Sequence, residues 1–167
     1  MKNKTLYFFL SLLVILSVVV NSCKKETQAQ LISSLLTQSK WQLASVTVDN
    51  NLGTTLISSY TLNTTCDTNQ YFIFNSNNTC SYANFECIDQ PTATGTWTLS
   101  SDQLFLMANM TCKDTLTGSV PSTGKPFAYA EIYTLGEYSM VLETGDIGVY
   151  ISPTTSTRIV YWGFIRK

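Results

Sequence analysis

Five cysteines, Cys23, Cys66, Cys80, Cys87 and Cys112, are the residues of this chain best equipped for covalent chemistry, and no histidine accompanies them. A serine or thiol nucleophile needs an adjacent base, so the histidine-assisted pairs are excluded, and no Gly-x-Ser-x-Gly turn is present. The cysteines do not form a zinc set, because none stands in a Cys-x-x-Cys spacing and no imidazole can complete the ligands. Calcium-loop spacing of Asp and Asn is absent, as are glycine-rich phosphate loops. The carboxylates are scattered, although Glu131 and Glu143 could face each other across a hairpin. Paired carboxylates do acid–base work only where they meet at a substrate cleft, and strand glutamates are mostly solvated. The expectation is a non-catalytic protein with no metal and no cofactor.

Cys23 stands apart from the other four. Before it come a basic start (Met1-Lys2-Asn3-Lys4), an apolar run from Leu6 to Val20 broken only by Ser11 and Ser17 among apolar and aromatic residues, and then Asn21-Ser22-Cys23. That order reads as a secretory signal, and the run is shorter than the about 20 residues that span a bilayer. Val20-Asn21-Ser22-Cys23 is similar to a bacterial lipobox, whose cysteine takes a diacylglyceryl thioether and becomes the new N-terminus. Each buried methylene contributes about 0.8 kcal/mol, so more than one acyl chain anchors the protein stably to a membrane. Lys24 and Lys25 follow where an acidic run would resemble a surface-export signal, so a periplasm-facing outer-membrane position is expected over the cell surface.

With Cys23 assigned to lipid, four thiols remain, and an oxidising compartment allows them three connectivities. Cys66–Cys87 with Cys80–Cys112 is favoured, free thiols being the alternative. The first pairing closes a loop worth on the order of 3 kcal/mol.

The chain of 167 residues carries 10 basic and 11 acidic side chains, and loses Lys2 and Lys4 with the leader. No basic field for nucleic acid results. Residues 1–22 form the signal, 23–34 the lipidated N-terminus and tether, and 35–167 one domain large enough to bury its own core; a monomer is expected. Leu31, Ile32, Leu35 and Leu36 are spaced for a short helix. Strand patterns then follow at 40–48, 70–75, 79–87, 94–100, 103–109, 127–135, 139–144 and 157–166. Asn75–Asn78, Ser100–Asp102 and Leu135–Tyr138 read as tight turns. Trp41 and Leu43 share one parity while Val46 and Val48 take the other, which predicts a bulge near Ala44-Ser45. Eight short strands joined mostly by hairpins make an all-β, antiparallel up-and-down barrel, since closure removes the sheet edges. The stretch 113–126 makes a long loop.

Ser39-Lys40-Trp41-Gln42-Leu43, Cys66-Asp67, Tyr71-Phe72-Ile73-Phe74-Asn75-Ser76-Asn77, Cys87, Gly95-Thr96-Trp97-Thr98-Leu99 and Met140-Val141-Leu142 occur in that order. Together they resemble the lipocalin-like lipoproteins of Bacteroidota over residues 35–167, with Ser39 where lipocalins proper carry glycine. The resemblance implies an eight-stranded lipocalin-like barrel with a short N-terminal helix. It also implies the Cys66–Cys87 pairing, and a Trp41 that plugs the closed end beneath Arg158 or Arg166. Asp114-Thr115-Leu116 resembles the O-glycosylation motif of the same bacteria, with Thr115 as acceptor.

An eight-stranded interior is either filled by side chains or holds one small ligand. Candidate lining residues are Tyr71, Ile73, Trp97, Leu104, Leu106, Tyr133 and Tyr161. The function expected is binding or carrying a small hydrophobic or amphipathic molecule in the barrel. A filled barrel acting as a structural or protein-interaction module is the alternative.

Overall fold

The computed structural model of the chain describes residues 28–62, 66, 69–88, 90–114 and 122–167. Cys23, Thr115, the leader and the first part of the tether lie outside the described residues. The described residues open with a helix, α1 (Gln28–Thr37). All strands belong to one compact unit, Ile32–Lys167. They are β1 (Trp41–Leu52), β2 (Thr55–Leu62), β3 (Tyr71–Phe74), β4 (Thr79–Ala83), β5 (Ala93–Leu99) and β6 (Phe105–Met110). The series continues with β7 (Cys112–Asp114), β8 (Ser122–Gly124), β9 (Ala130–Leu135), β10 (Ser139–Gly145) and β11 (Ser156–Arg166).

Eight of these strands close a barrel. The order β11-β10-β9-β6-β5-β4-β3-β1 is antiparallel throughout, and β1 pairs back onto β11 from Trp41↔Arg166 to Leu52↔Ser156. These eight overlap the eight sequence patterns, although the expected strand 79–87 stops at Ala83. The β1–β11 register slips between Leu43 and Ser45, so Ala44 is the extra residue that brings Trp41, Leu43, Val46 and Val48 onto one face. Two elements carry no sequence signal of this kind: β2, which lies against β1 alone, and the small β7–β8 hairpin. Because β2 is exposed along nearly its whole length, it has no alternation to read.

The turns are built as their residues dictate. The Asn75 N–H donates to the Thr79 carbonyl at 2.8 Å, and Asn78 takes φ 63°, a conformation asparagine tolerates well. Gln103 does the same at φ 63° in the β5–β6 turn. Beyond β4 the chain enters a 3₁₀ turn, Phe85–Cys87, with Asn84, Glu86 and Cys87 all at positive φ. Two ties hold this costly stretch. Cys66 and Cys87 are disulfide-bonded, with Cα atoms 5.4 Å apart. The buried Gln70 side chain accepts from the Glu86 N–H at 2.9 Å and from the Tyr82 hydroxyl at 3.3 Å.

The second expected disulfide is not formed: Cys80 and Cys112 are both buried and unbridged. Cys80 faces Gly95, which in turn faces Met110, so β5 stands between β4 and the strand that leads to Cys112. Two strand spacings are about 10 Å, beyond the about 7 Å that a disulfide tolerates between Cα atoms.

Aromatic rings fill the interior. Phe72, Phe74, Tyr82, Phe85, Phe127, Trp162 and Phe164 are buried, and their neighbouring ring centroids lie 4.1–6.4 Å apart. Burying each such side chain contributes about 1.5–3 kcal/mol. Trp41 closes one end, fully buried, its indole N–H donating to the Leu36 carbonyl at 3.0 Å. Arg166, its register partner, donates to the Glu137 carbonyl at 2.8 Å and to the Gln38 side chain, clasping the helix exit to the β9–β10 turn. Arg158 is not at this end. It pairs with Asn50, eight residues up β11, and its backbone N–H donates to Asp146 Oδ2 at 2.8 Å.

Candidate functional site

Pleat parity sorts the seven candidate lining residues. Trp97 and Leu106 face the interior and are buried. Tyr71 and Ile73 alternate with the buried Phe72 and Phe74, so they point outward. Leu104 and Tyr133 are exposed, at 52% and 59%. Tyr161, between the buried Val160 and Trp162, also lies on the outer face. Both parities of these strands are apolar, so residue type alone did not select the inner set. Trp97 is also anchored by polarity, its indole N–H donating to the Asn75 carbonyl at 3.0 Å. Its flank borders an outer hollow of about 290 Å³, shared with Thr96, Thr98, Met107, Asn109, Lys125 and Ala128.

A larger cleft, about 370 Å³, opens on the outer wall near the end opposite Trp41. Its floor is Glu131, Glu143, Thr157 and Ile159, from β9, β10 and β11. The β10–β11 loop forms a flap over it, bringing in Asp146, Ile147, Val149 and Ile151. The tip of the β1–β2 hairpin completes the rim, and Gly53 N–H donates to the Thr155 carbonyl at 2.8 Å. The cleft therefore joins an apolar flap to an acidic floor, the usual composition of a small-molecule site.

The floor is electrostatically unbalanced. Glu131 and Glu143 are direct cross-strand partners, an arrangement in which like charges destabilise the pair. Burial first, then Glu131 and Asp49, push the Glu143 carboxyl above the usual carboxylate range. Burial and then the nearby carboxylates, Glu143 foremost, likewise raise the Tyr161 hydroxyl. Tyr161 meets Tyr133 edge-on at 5.6 Å across β10. Asp49 sits one rung further along the same face, opposite Ile159, with its Oδ1 buried and lacking a hydrogen bond among the described residues. Neither β1, β2, β9, β10 nor the flap contains a lysine or arginine. No group of three or more metal-binding side chains gathers among the described residues. What the arrangement can do is hold a positive or hydrogen-bond-donating group against carboxylates while the flap covers an aliphatic part.

The pairing of Glu131 with Glu143 is the part of this site that the sequence anticipated. The flap residues Ile147, Val149 and Ile151 were missed, because loop residues have no periodicity to show which way they face. The lipocalin-like domain family matches residues 38–142, and the match ends one residue before Glu143. No curated protein matches the chain.

Proposed function

Because the chain belongs to the lipocalin-like domain family, we propose that it is a non-catalytic, lipid-anchored protein of the cell envelope that binds a small amphipathic ligand. The binding volume we assign is the flap-covered cleft rather than the barrel interior, which aromatic rings occupy. The observation that carries the reading is the cleft itself, with Ile147, Val149 and Ile151 above and Glu131 and Glu143 below. Its acidic floor favours ligands whose polar end is an amine. No catalytic step is assigned, since the groups facing the cleft supply charge and apolar surface and no nucleophile–base pair stands among them.

Cys23 supplies the anchor in this reading, and a periplasm-facing position in the outer membrane is part of the proposal, supported by Lys24 and Lys25 where a surface-export signal would be acidic. Feeding cells a clickable fatty acid should label the chain, and Cys23→Ala should abolish the label.

Native mass spectrometry of the full chain released from detergent tests the ligand. An alkylamine such as dodecylamine should add to the wild-type chain, and Ile147→Trp, which fills the cleft from the flap, should lose it. Equal uptake by both chains would move the site elsewhere, and no uptake of dodecylamine or any co-purifying molecule would refute it.

A further inference from the structure

One element of the molecule has no role in the barrel or the cleft floor. Strand β2 pairs with β1 and ends the sheet, so its far edge has no strand neighbour among the described residues. Free edges offer unpaired N–H and C=O groups, and proteins normally blunt them with charge or proline. Here Thr55-Leu56-Ile57-Ser58-Ser59-Tyr60-Thr61-Leu62 contains neither. A bulge at Ile57, between the Asn50↔Ser58 and Asn51↔Leu56 pairs, interrupts only the turn end and leaves Ser58–Leu62 regular.

We propose that the free edge of β2 docks an extended segment of a partner polypeptide in which apolar and basic residues alternate. Register sets the alternation. Tyr60 and Leu62 lie opposite Val48 and Val46, on the core-facing side, where Tyr60 is 45% exposed and Leu62 packs against the core. Ser59 lies opposite Asp49 on the outer side, the face that also carries Glu143 and Glu131. A strand added beyond β2 thus meets Tyr60 and Leu62 on one face and the short Ser59 on the other. Behind Ser59 stands the Asp49 carboxylate, two strand spacings or about 10 Å away and within reach of a lysine side chain, while Glu143 and Glu131 lie further round the wall.

Charge selects the occupant. No lysine or arginine occurs from Trp41 to Cys112. A second copy of β2 would bring no positive charge to Asp49, and an anionic headgroup layer would face like charge. A basic segment gives Asp49 Oδ1 the partner it lacks.

The test uses the full chain in dodecyl maltoside and a fluorescent peptide of alternating lysine and valine. That peptide should bind about tenfold or more tightly than its glutamate–valine counterpart, the difference shrinking as salt rises. Methylating alternate backbone amides of the peptide should abolish binding. Tyr60→Lys should weaken it about tenfold and Asp49→Asn less, with the fold unchanged by circular dichroism. Ser58→Lys, on the same exposed edge, replaces Tyr60→Lys if that variant does not fold. Binding that ignores peptide charge, survives amide methylation or persists in the lysine variant overturns the proposal, as does no binding. A concentration-dependent dimer that the lysine variant abolishes would assign the edge to a second copy instead.

Discussion

At the scale of single residues, the chain separates groups that hold the barrel from groups that are held at a cost. Glu143 belongs to the second kind. Its folded pKa lies above its unfolded value, so its contribution to stability is present below about pH 4.3 and is lost as pH rises through the raised pKa. Glu143→Gln is therefore expected to stabilise the fold at pH 7.5 by about 0.5 kcal/mol, on the scale of one cross-strand pair. The gain should fade on acidification towards pH 4. Thermal melts of both chains across that range check this, and an equal gain at both ends would sink it. Cys80 gives a second residue-level prediction, because burial pushes its thiol up to about 11. Iodoacetamide at pH 8 should leave it unmodified in the native chain and alkylate it in guanidinium without reductant. Modification of the native chain, or protection in denaturant, would contradict the buried, unbridged thiol. The sequence read both cysteine pairs as bridges because spacing says nothing of the strand that comes between Cys80 and Cys112.

At the scale of elements, legibility followed burial. The eight barrel strands were visible because one face of each is apolar, and the bulge at Ala44 was visible because the parity of Trp41 and Val46 conflicts. Strand β2 was missed because neither of its faces is buried enough to leave a pattern. In β3 every residue is apolar or aromatic, so only the Trp41↔Phe72 register reveals that Phe72, and not Tyr71, turns inward. Close approach between elements gives a sharp prediction at Gly95. A methyl group there would lie 2.1 Å from the Asn109 carbonyl oxygen on the neighbouring strand. Gly95→Ala should cost about 3 kcal/mol or more, read as a fall in denaturation midpoint. In the flap, Gly148 has open space but φ +71°. Gly148→Ala should therefore cost only about 1–2 kcal/mol, from strain alone.

At the scale of the whole molecule, two zones of different cohesion share one sheet. Around Trp41 the helix exit, the β9–β10 turn and the last strand are clasped by Arg166, and the rings behind them are buried. At the far end, β2 and the flap depend on few buried contacts, with Ile57 63% and Tyr150 88% exposed. Hydrogen exchange should therefore show β2 amides exchanging well before those of β1 and β11, and uniform protection would contradict this division. The cleft sits in the looser zone, and its flap meets Glu131 and Gly53 from far along the chain, which is why no local pattern announced it.

The seam between β1 and β11 also governs when this protein can exist. Trp41 meets Arg166, so the barrel cannot shut until β11 has been made and brought to β1. Bringing those ends together carries the loop-closure entropy of nearly the entire domain, which places folding among slow, non-local topologies. Until β11 arrives, the edge of β1 that it covers stays open to other pairings.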